Sequence, residues 1–225
     1  MKRRIRLILM LVIVSLPVLS ACGMQPASLP ADVVPQDLVT IEAAAEDIID
    51  FAPSGNWDKI NQDVMDIEEA WKSYEPRSIK DGAAQEVDDR MTSALAALET
   101  ASKSKDASAT MQGSNDVSAA VVELFALYNP VTPADIGRLD VLERQVILDV
   151  AAQDYPAAME TMAKTRSVWE NVKPSVLQHE GKDLAAQFDA SLESQAAALD
   201  SKEADALTRE ASDALELVDA LERLY

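Results

Sequence analysis

Trp71-Lys72-Ser73-Tyr74-Glu75-Pro76 has an echo in Trp169-Glu170-Asn171-Val172-Lys173-Pro174, 98 residues further on. A self-match at a fixed spacing marks an internal repeat, and it outranks any local reading of the chain. Upstream of the tryptophan the same offset pairs Pro35 with Pro133, Asp37 with Asp135, Ile41 with Leu139, Ile48-Ile49 with Val146-Ile147 and Trp57 with Tyr155. Downstream the offset becomes 97, as one residue is lost near the turn after the proline. Met91 then pairs with Phe188, Leu95 with Leu192, Ser104-Lys105-Asp106-Ala107 with Ser201-Lys202-Glu203-Ala204, and Leu127-Tyr128 with Leu224-Tyr225. The apolar positions stay in phase throughout. The chain therefore reads as two sequence-related copies, residues 35–128 and 134–225, separated by a proline-rich linker at 129–133.

Each copy breaks into four helical stretches. In the first, Leu38, Ile41, Ala45, Ile48 and Ala52 share one helical face, and Pro53-Ser54-Gly55 ends it. Asn56 is suited to cap the next helix. There Trp57, Ile60, Val64, Ile67, Trp71 and Tyr74 recur three and four residues apart, the spacing of a bundle seam, and Pro76 is expected to stop the run. A third helix is expected from Ser78 or Asp81 to Ser102 and a fourth from about Ser104 to Tyr128, weakened in its middle by Gly113. The second copy repeats the plan. Ile136, Leu139, Leu142, Val146 and Val150 form its first seam. Asp154 caps a helix that carries Met162, Thr165, Trp169 and Val172. A third helix from Pro174 carries Leu177, Leu184, Phe188 and Leu192, and the last carries Leu207, Ala211, Ala214, Val218 and Leu221. Short connections make neighbouring helices antiparallel. The expected fold is all-α, with two tandem, sequence-related antiparallel four-helix bundles; one continuous array across the linker is the alternative.

The N-terminus has its own logic. Lys2, Arg3, Arg4 and Arg6 precede a short apolar run, followed by Leu19-Ser20-Ala21-Cys22. A basic start, an apolar core and small residues before a cut describe an export signal over residues 1–21. The run is too short to span a bilayer, which needs roughly 20 apolar residues, and Pro17 interrupts it. Leu19-Ser20-Ala21-Cys22 resembles the lipobox of bacterial lipoproteins. That resemblance implies that Cys22 is acylated and becomes the first residue of the mature protein. Cys22 is also the only cysteine, so no internal disulfide can form. Residues 22–34 carry Pro26 and Pro30 and read as a lipidated cysteine followed by a flexible tether.

Charge narrows the partners. The chain has 20 basic and 39 acidic side chains, a net charge of −19, and removal of the four basic signal residues takes it to −23. A surface of that sign repels nucleic acid and anionic lipid, so nucleic-acid binding is excluded and membrane attachment falls to the lipid on Cys22. The apolar share of 48% is enough for a folded core.

No catalytic constellation is present in the sequence. His179 is the only histidine and lies off the apolar stripe of its helix, which makes it a surface residue. There is no nucleophile elbow, no glycine-rich phosphate loop and no set of His and Cys residues for zinc or copper. The acidic clusters lack the spacing of a calcium loop. Trp57, Trp71, Tyr155 and Trp169 are the most suggestive side chains. They either line a pocket for a small apolar or aromatic ligand or anchor the core, and large aromatics on a seam belong to the core.

Exported, helical and poor in aromatics, the chain resembles uncharacterised helical-bundle lipoproteins of bacteria. Its plan is loosely similar to imelysin-like iron-uptake lipoproteins, which pair two four-helix bundles by duplication. Their Gly-x-His-x-x-Glu motif is absent, since His179 is followed by Glu180, Gly181 and Lys182; no metal site and no cofactor are carried over. The expected role is non-enzymatic: a lipid-anchored module facing outside the cytoplasm, binding an unknown protein or envelope partner. The alternative is a solute- or metal-cation-binding lipoprotein for uptake or sensing.

Overall fold

The computed structural model describes residues 33–225. The expected signal segment, Cys22 and most of the tether lie outside the described residues. Eight α-helices follow in order: α1 (Gln36–Phe51), α2 (Trp57–Asp81), α3 (Gln85–Ser104), α4 (Ala107–Phe125), α5 (Ala134–Ala151), α6 (Tyr155–Gln178), α7 (Lys182–Asp200) and α8 (Ala204–Glu222). Short 3-10 turns follow α1 and α4. Among the described residues there is no strand, so the all-α expectation holds.

Side-chain caps set several of the starts. Asn56 and Asp154 accept hydrogen bonds from the backbone N–H groups of Lys59 and Ala157, at 3.5 and 3.0 Å. Asp106 does the same for Ala109 at 3.0 Å. Each satisfies one of the amides left free at a helix N-terminus.

Two helices run longer than their sequence implies. Pro76 lies inside α2 and Pro174 inside α6, so neither proline is the stop it was expected to be. Both are exposed. The carbonyl that loses its amide donor to the ring therefore faces water, which replaces the missing bond. As a consequence α3 starts at Gln85 and α7 at Lys182, both later than expected. Leu177 stays on α6 and is 47% exposed instead of lining the inward face of the next helix.

Gly113 is not merely a weak point of α4. A Cβ built on it would sit 2.9 Å from the Leu98 backbone. Its hydrogen is what lets α3 and α4 pack closely enough to touch backbones.

Packing closes two rings. In the N-terminal set α1 packs on α2, α2 on α3, α3 on α4 and α4 back on α1; in the C-terminal set α5 packs on α6, α6 on α7, α7 on α8 and α8 back on α5. α4 also packs on α5 and joins the sets. The N-terminal set has one continuous apolar core. The C-terminal set has two, one around Trp169 and Phe188 and one around Val146 and Leu207.

The turns of the two sets correspond. Gly55 and Gln153, Gly82 and Glu180, and Lys105 and Lys202 all have positive φ. The first two pairs are 98 residues apart and the third 97, the offsets of the sequence echo. The length change falls between a helix end and the next helix start: two residues separate Gly82 from α3, and one separates Glu180 from α7.

Candidate functional site

The aromatic residues do not converge. Trp71 is 5% exposed in the N-terminal core, with its ring centroid 6.1 Å from Tyr74. Trp169 is 1% exposed in the C-terminal set, 4.6 Å from Phe188, and its Nε1 donates to Asp189 at 2.7 Å. Trp57 packs at the edge of the first core and Tyr155 at the edge of a second-half core. The grooves described below are lined by none of the four. His179 is exposed at the end of α6, with Nδ1 2.9 Å from the Ser175 carbonyl and its ring against Tyr225.

A shallow groove of about 500 Å³ on the α3–α4 face of the N-terminal set is lined mainly by alanines with Asp89, Arg90 and Asp116; two more grooves lie between the sets. One groove of about 370 Å³ has an apolar floor of Ile49, Met111, Ile147, Leu148 and Leu215. Around it stand Glu46 and Asp50 from α1, Asp140 and Arg144 from α5, and Asp219 from α8. Arg144 bridges the sets: its guanidinium donates to Glu46 at 3.0 Å and to Asp140 at 2.7 Å. Glu46 and Arg144 are 98 residues apart, the offset of the sequence echo, and they meet across the groove.

Further along the same cleft a second groove of about 340 Å³ is lined by Val34, Val39, Val122, Phe125 and Val131, with Glu42 and Glu222 beside it. Val131 is 75% exposed and Val39 37%.

One guanidinium cannot neutralise the six carboxylates of the two grooves. Burial pushes Glu42 up to about 7, and Glu46, Glu222 and Asp140 add to the effect while Arg144 opposes it. Burial likewise pushes Asp140 up to about 7 against the pull of Arg144, with Glu46, Glu222 and Asp219 pushing the same way. Asp140 is thus raised in spite of its ion pair, because it shares that partner with Glu46 and the surrounding acids outweigh the remainder. Glu222 is raised by burial and then by Glu46 and Asp219. Added positive charge is what this cleft lacks. Among the described residues, no three His, Cys, Asp or Glu side chains come together in a group that could hold a metal ion.

The walls of the cleft are fixed by a polar seam between α4 and α5. Gln112 and Gln145 exchange amide hydrogen bonds at 2.9 and 3.1 Å. Asn115 donates to the Val141 carbonyl at 3.1 Å and to Gln145 at 3.0 Å. Arg138 holds Glu123 at 2.9 Å. Hydrogen bonds of this kind set register between packed helices more sharply than apolar contact does. None of the cleft residues stands out in the sequence. The pairing that builds the site spans 98 residues of sequence, and no local pattern links Glu46 to Arg144.

Compared with models of protein families, with curated proteins and with solved structures, the chain matches none.

Proposed function

We propose that the protein is a non-enzymatic binding module, anchored by a lipid on Cys22 and facing outside the cytoplasm, that takes its ligand in the cleft between the two helix sets. The observation that carries the reading is the charge of that cleft: carboxylates from α1, α5 and α8 converge around the single guanidinium of Arg144, above an apolar floor. A basic side chain with an aliphatic stem would satisfy both features, since its stem covers the floor while its charge joins the acids. The favoured ligand is therefore a lysine- or arginine-bearing segment of a protein partner in the envelope.

A small organic cation is the second reading. The groove volume lies within the range of small-molecule sites, about 300–1,000 Å³. Metal capture has less support, for want of a ligand cluster among the described residues.

Attachment follows from the lipobox resemblance, and among the described residues no helix is long and apolar enough to cross a membrane. The matched left-handed turns, matched caps and matched prolines support the reading of the two sets as copies of one ancestral unit.

The test is photo-crosslinking in cells, with a photoreactive residue at Leu148 in the groove and, as control, at Met65, which is 54% exposed on α2. A discrete adduct at Leu148 that Asp140→Asn and Asp219→Asn weaken, and that Met65 does not give, is the expected result. Equal labelling from both positions would sink the proposal. Fatty-acid labelling that persists in Cys22→Ser would sink the anchoring part alone.

A further inference from the structure

Glu143 is a carboxyl placed where a core residue belongs. It lies on the inward face of α5, spaced four residues from Leu139 and three from Val146, and it is 0% exposed. Neither of its oxygens has a hydrogen-bond partner. Gln195 of α7, also 0% exposed, has an unpartnered amide oxygen while its nitrogen donates to Ser191 at 3.3 Å. Thr165 of α6 is 1% exposed, and its hydroxyl bonds back to the Thr161 carbonyl at 3.0 Å. These three residues stand between the two apolar clusters of the C-terminal set. At the matching positions the N-terminal set has Ala45, Ile67 and Leu98, all part of one unbroken core.

The surroundings offer the Glu143 carboxylate no counter-charge. On its own helix Asp140 lies one turn away and repels it; Asp149, two turns on, is buried and already bonded by Thr161 at 2.7 Å and Gln145 at 2.7 Å. The buried polar residues of α6 and α7 are the neutral Thr161, Thr165 and Gln195, and α8 buries only apolar residues. On the far side of α5, Asn115 of α4 is neutral and bonded to the α5 backbone. A carboxylate in such a place is strongly disfavoured, whereas a neutral acid can supply one donor to the acceptors around it.

We propose that the C-terminal helix set is a proton-sensitive element, packed tightly while Glu143 is neutral and loosened at the Glu143–Gln195 level when Glu143 ionises, with the N-terminal set as the rigid reference. Burial pushes the group up to about 8, with Gln195 opposing and Asp140 reinforcing the shift. Because the folded value lies above the ordinary 4.5, the stabilising effect is complete below that ordinary value. It is lost as pH rises towards about 8 and changes no further above it. Facing outside the cytoplasm, as proposed above, the chain meets the pH of its surroundings directly, so this device would set how readily the C-terminal set opens at that layer, independently of what the cleft binds.

The test is hydrogen–deuterium exchange on the full chain at pH 5 and pH 9, corrected for the intrinsic pH dependence of exchange. Amides of α5 and α7 flanking Glu143 and Gln195 should lose protection by about ten-fold or more relative to α3, one decade per pH step being what a single linked proton yields. Glu143→Gln keeps the shape and removes the titration, and should abolish most of that difference; Asp140→Asn, which alters the cleft, should leave most of it. Equal loss of protection in both sets of the unmodified protein would overturn the proposal without any variant. Persistence of the difference in Glu143→Gln would overturn it too.

Discussion

In the N-terminal set Ala45, Ile67 and Leu98 carry one apolar core from end to end; at the same positions of the C-terminal set stand Glu143, Thr165 and Gln195, and the core is cut in two. The helices around these layers differ little. Their prolines, their left-handed turns and the caps at Asn56 and Asp154 correspond position by position, while Asp106 caps α4 and its counterpart Glu203 makes no such bond at α8. The sets therefore share the local signals at their helix ends and differ in what fills a single layer in the middle. A layer can be changed without moving the helices, and that makes it a place where the two sets can differ in stability and in response to pH.

The sharpest way to break the contrast is to move the polar layer. Ala45→Glu would put a carboxyl at the counterpart of Glu143. Ala45 is 0% exposed and its carbonyl accepts a hydrogen bond from Ser114 at 2.7 Å, so α1 and α4 leave no room there. Burying a charge without a partner while overpacking the site should cost ~4 kcal/mol or more. The measurement is chemical denaturation followed with exchange; the N-terminal set should become the less protected one. A variant as stable as the parent would mean that the layer does not govern cohesion.

Much of this contrast is legible in the sequence, and one part of it is missed for an instructive reason. The spacing of Ile136, Leu139, Val146 and Val150 leaves a gap at 143, and reading apolar residues alone fills that gap with the neighbouring Leu142. In the structure Leu142 is half-buried and Glu143 is the core residue. Following the three-four rhythm instead of residue type would have found it, as it would have found Gln195 between Leu192 and Leu199. The proline positions are misread because a rule about helix interiors ignores which side of the helix faces water. The cleft is illegible for another reason: Glu46 and Arg144 meet only through the packing of the two sets, which no local pattern encodes. The linker, the number of helices and the caps at Asn56 and Asp154 are local features, and these the chain states openly.

The tyrosines that follow the last helix of each set offer a second comparison. Tyr128, 1% exposed, stands 3.0 Å from the Tyr74 hydroxyl and donates to Asp81 at 2.6 Å, and Arg77 pairs with the same carboxylate at 2.6 Å. Burial pushes Asp81 up, but Tyr128 and Arg77 together hold it below the ordinary carboxylate range. Its counterpart Tyr225 is half-buried and reaches only Ser175, at 2.9 Å. Tyr128→Phe should therefore cost about 1–3 kcal/mol, because it strands buried groups, and Tyr225→Phe less than about 1 kcal/mol. Thermal unfolding of the two variants decides; equal losses would mean that burial of the network is irrelevant.

The cleft between the sets predicts a smaller effect with a definite sign. Asp140 and Glu42 are both pushed up to about 7, chiefly by burial. Their folded values exceed the unfolded ones, so the stabilisation is complete at acid pH, below the ordinary carboxylate value. It is lost as pH rises through about 7. The unfolding temperature should fall between pH 5 and pH 8, and Asp140→Asn should flatten that fall by a few degrees, at about 2–4 °C per kcal/mol for a chain of this size. A bound cationic ligand should flatten it as well, by supplying the charge that Arg144 alone cannot. If Asp140→Asn and the parent fall in parallel, the cleft is better compensated than its geometry indicates.

The least effect is expected where the two sets are most alike, at the start of α2 and α6. Asp154 presents a carboxyl group that accepts from the Ala157 amide at 3.0 Å, while Asn56 presents an amide oxygen 3.5 Å from the Lys59 amide, the long limit of a hydrogen bond. A carboxylate at a helix N-terminus also meets the positive end of the helix dipole, which an amide does not. Asp154→Ala should thus lower stability by about 1 kcal/mol and Asn56→Ala by only a few tenths of that. On this chain that difference is about 2–4 °C against less than about 1 °C in a calorimetric scan. The opposite order would place the tighter cap in the N-terminal set, and the two sets would then differ in their turns as well as in their cores.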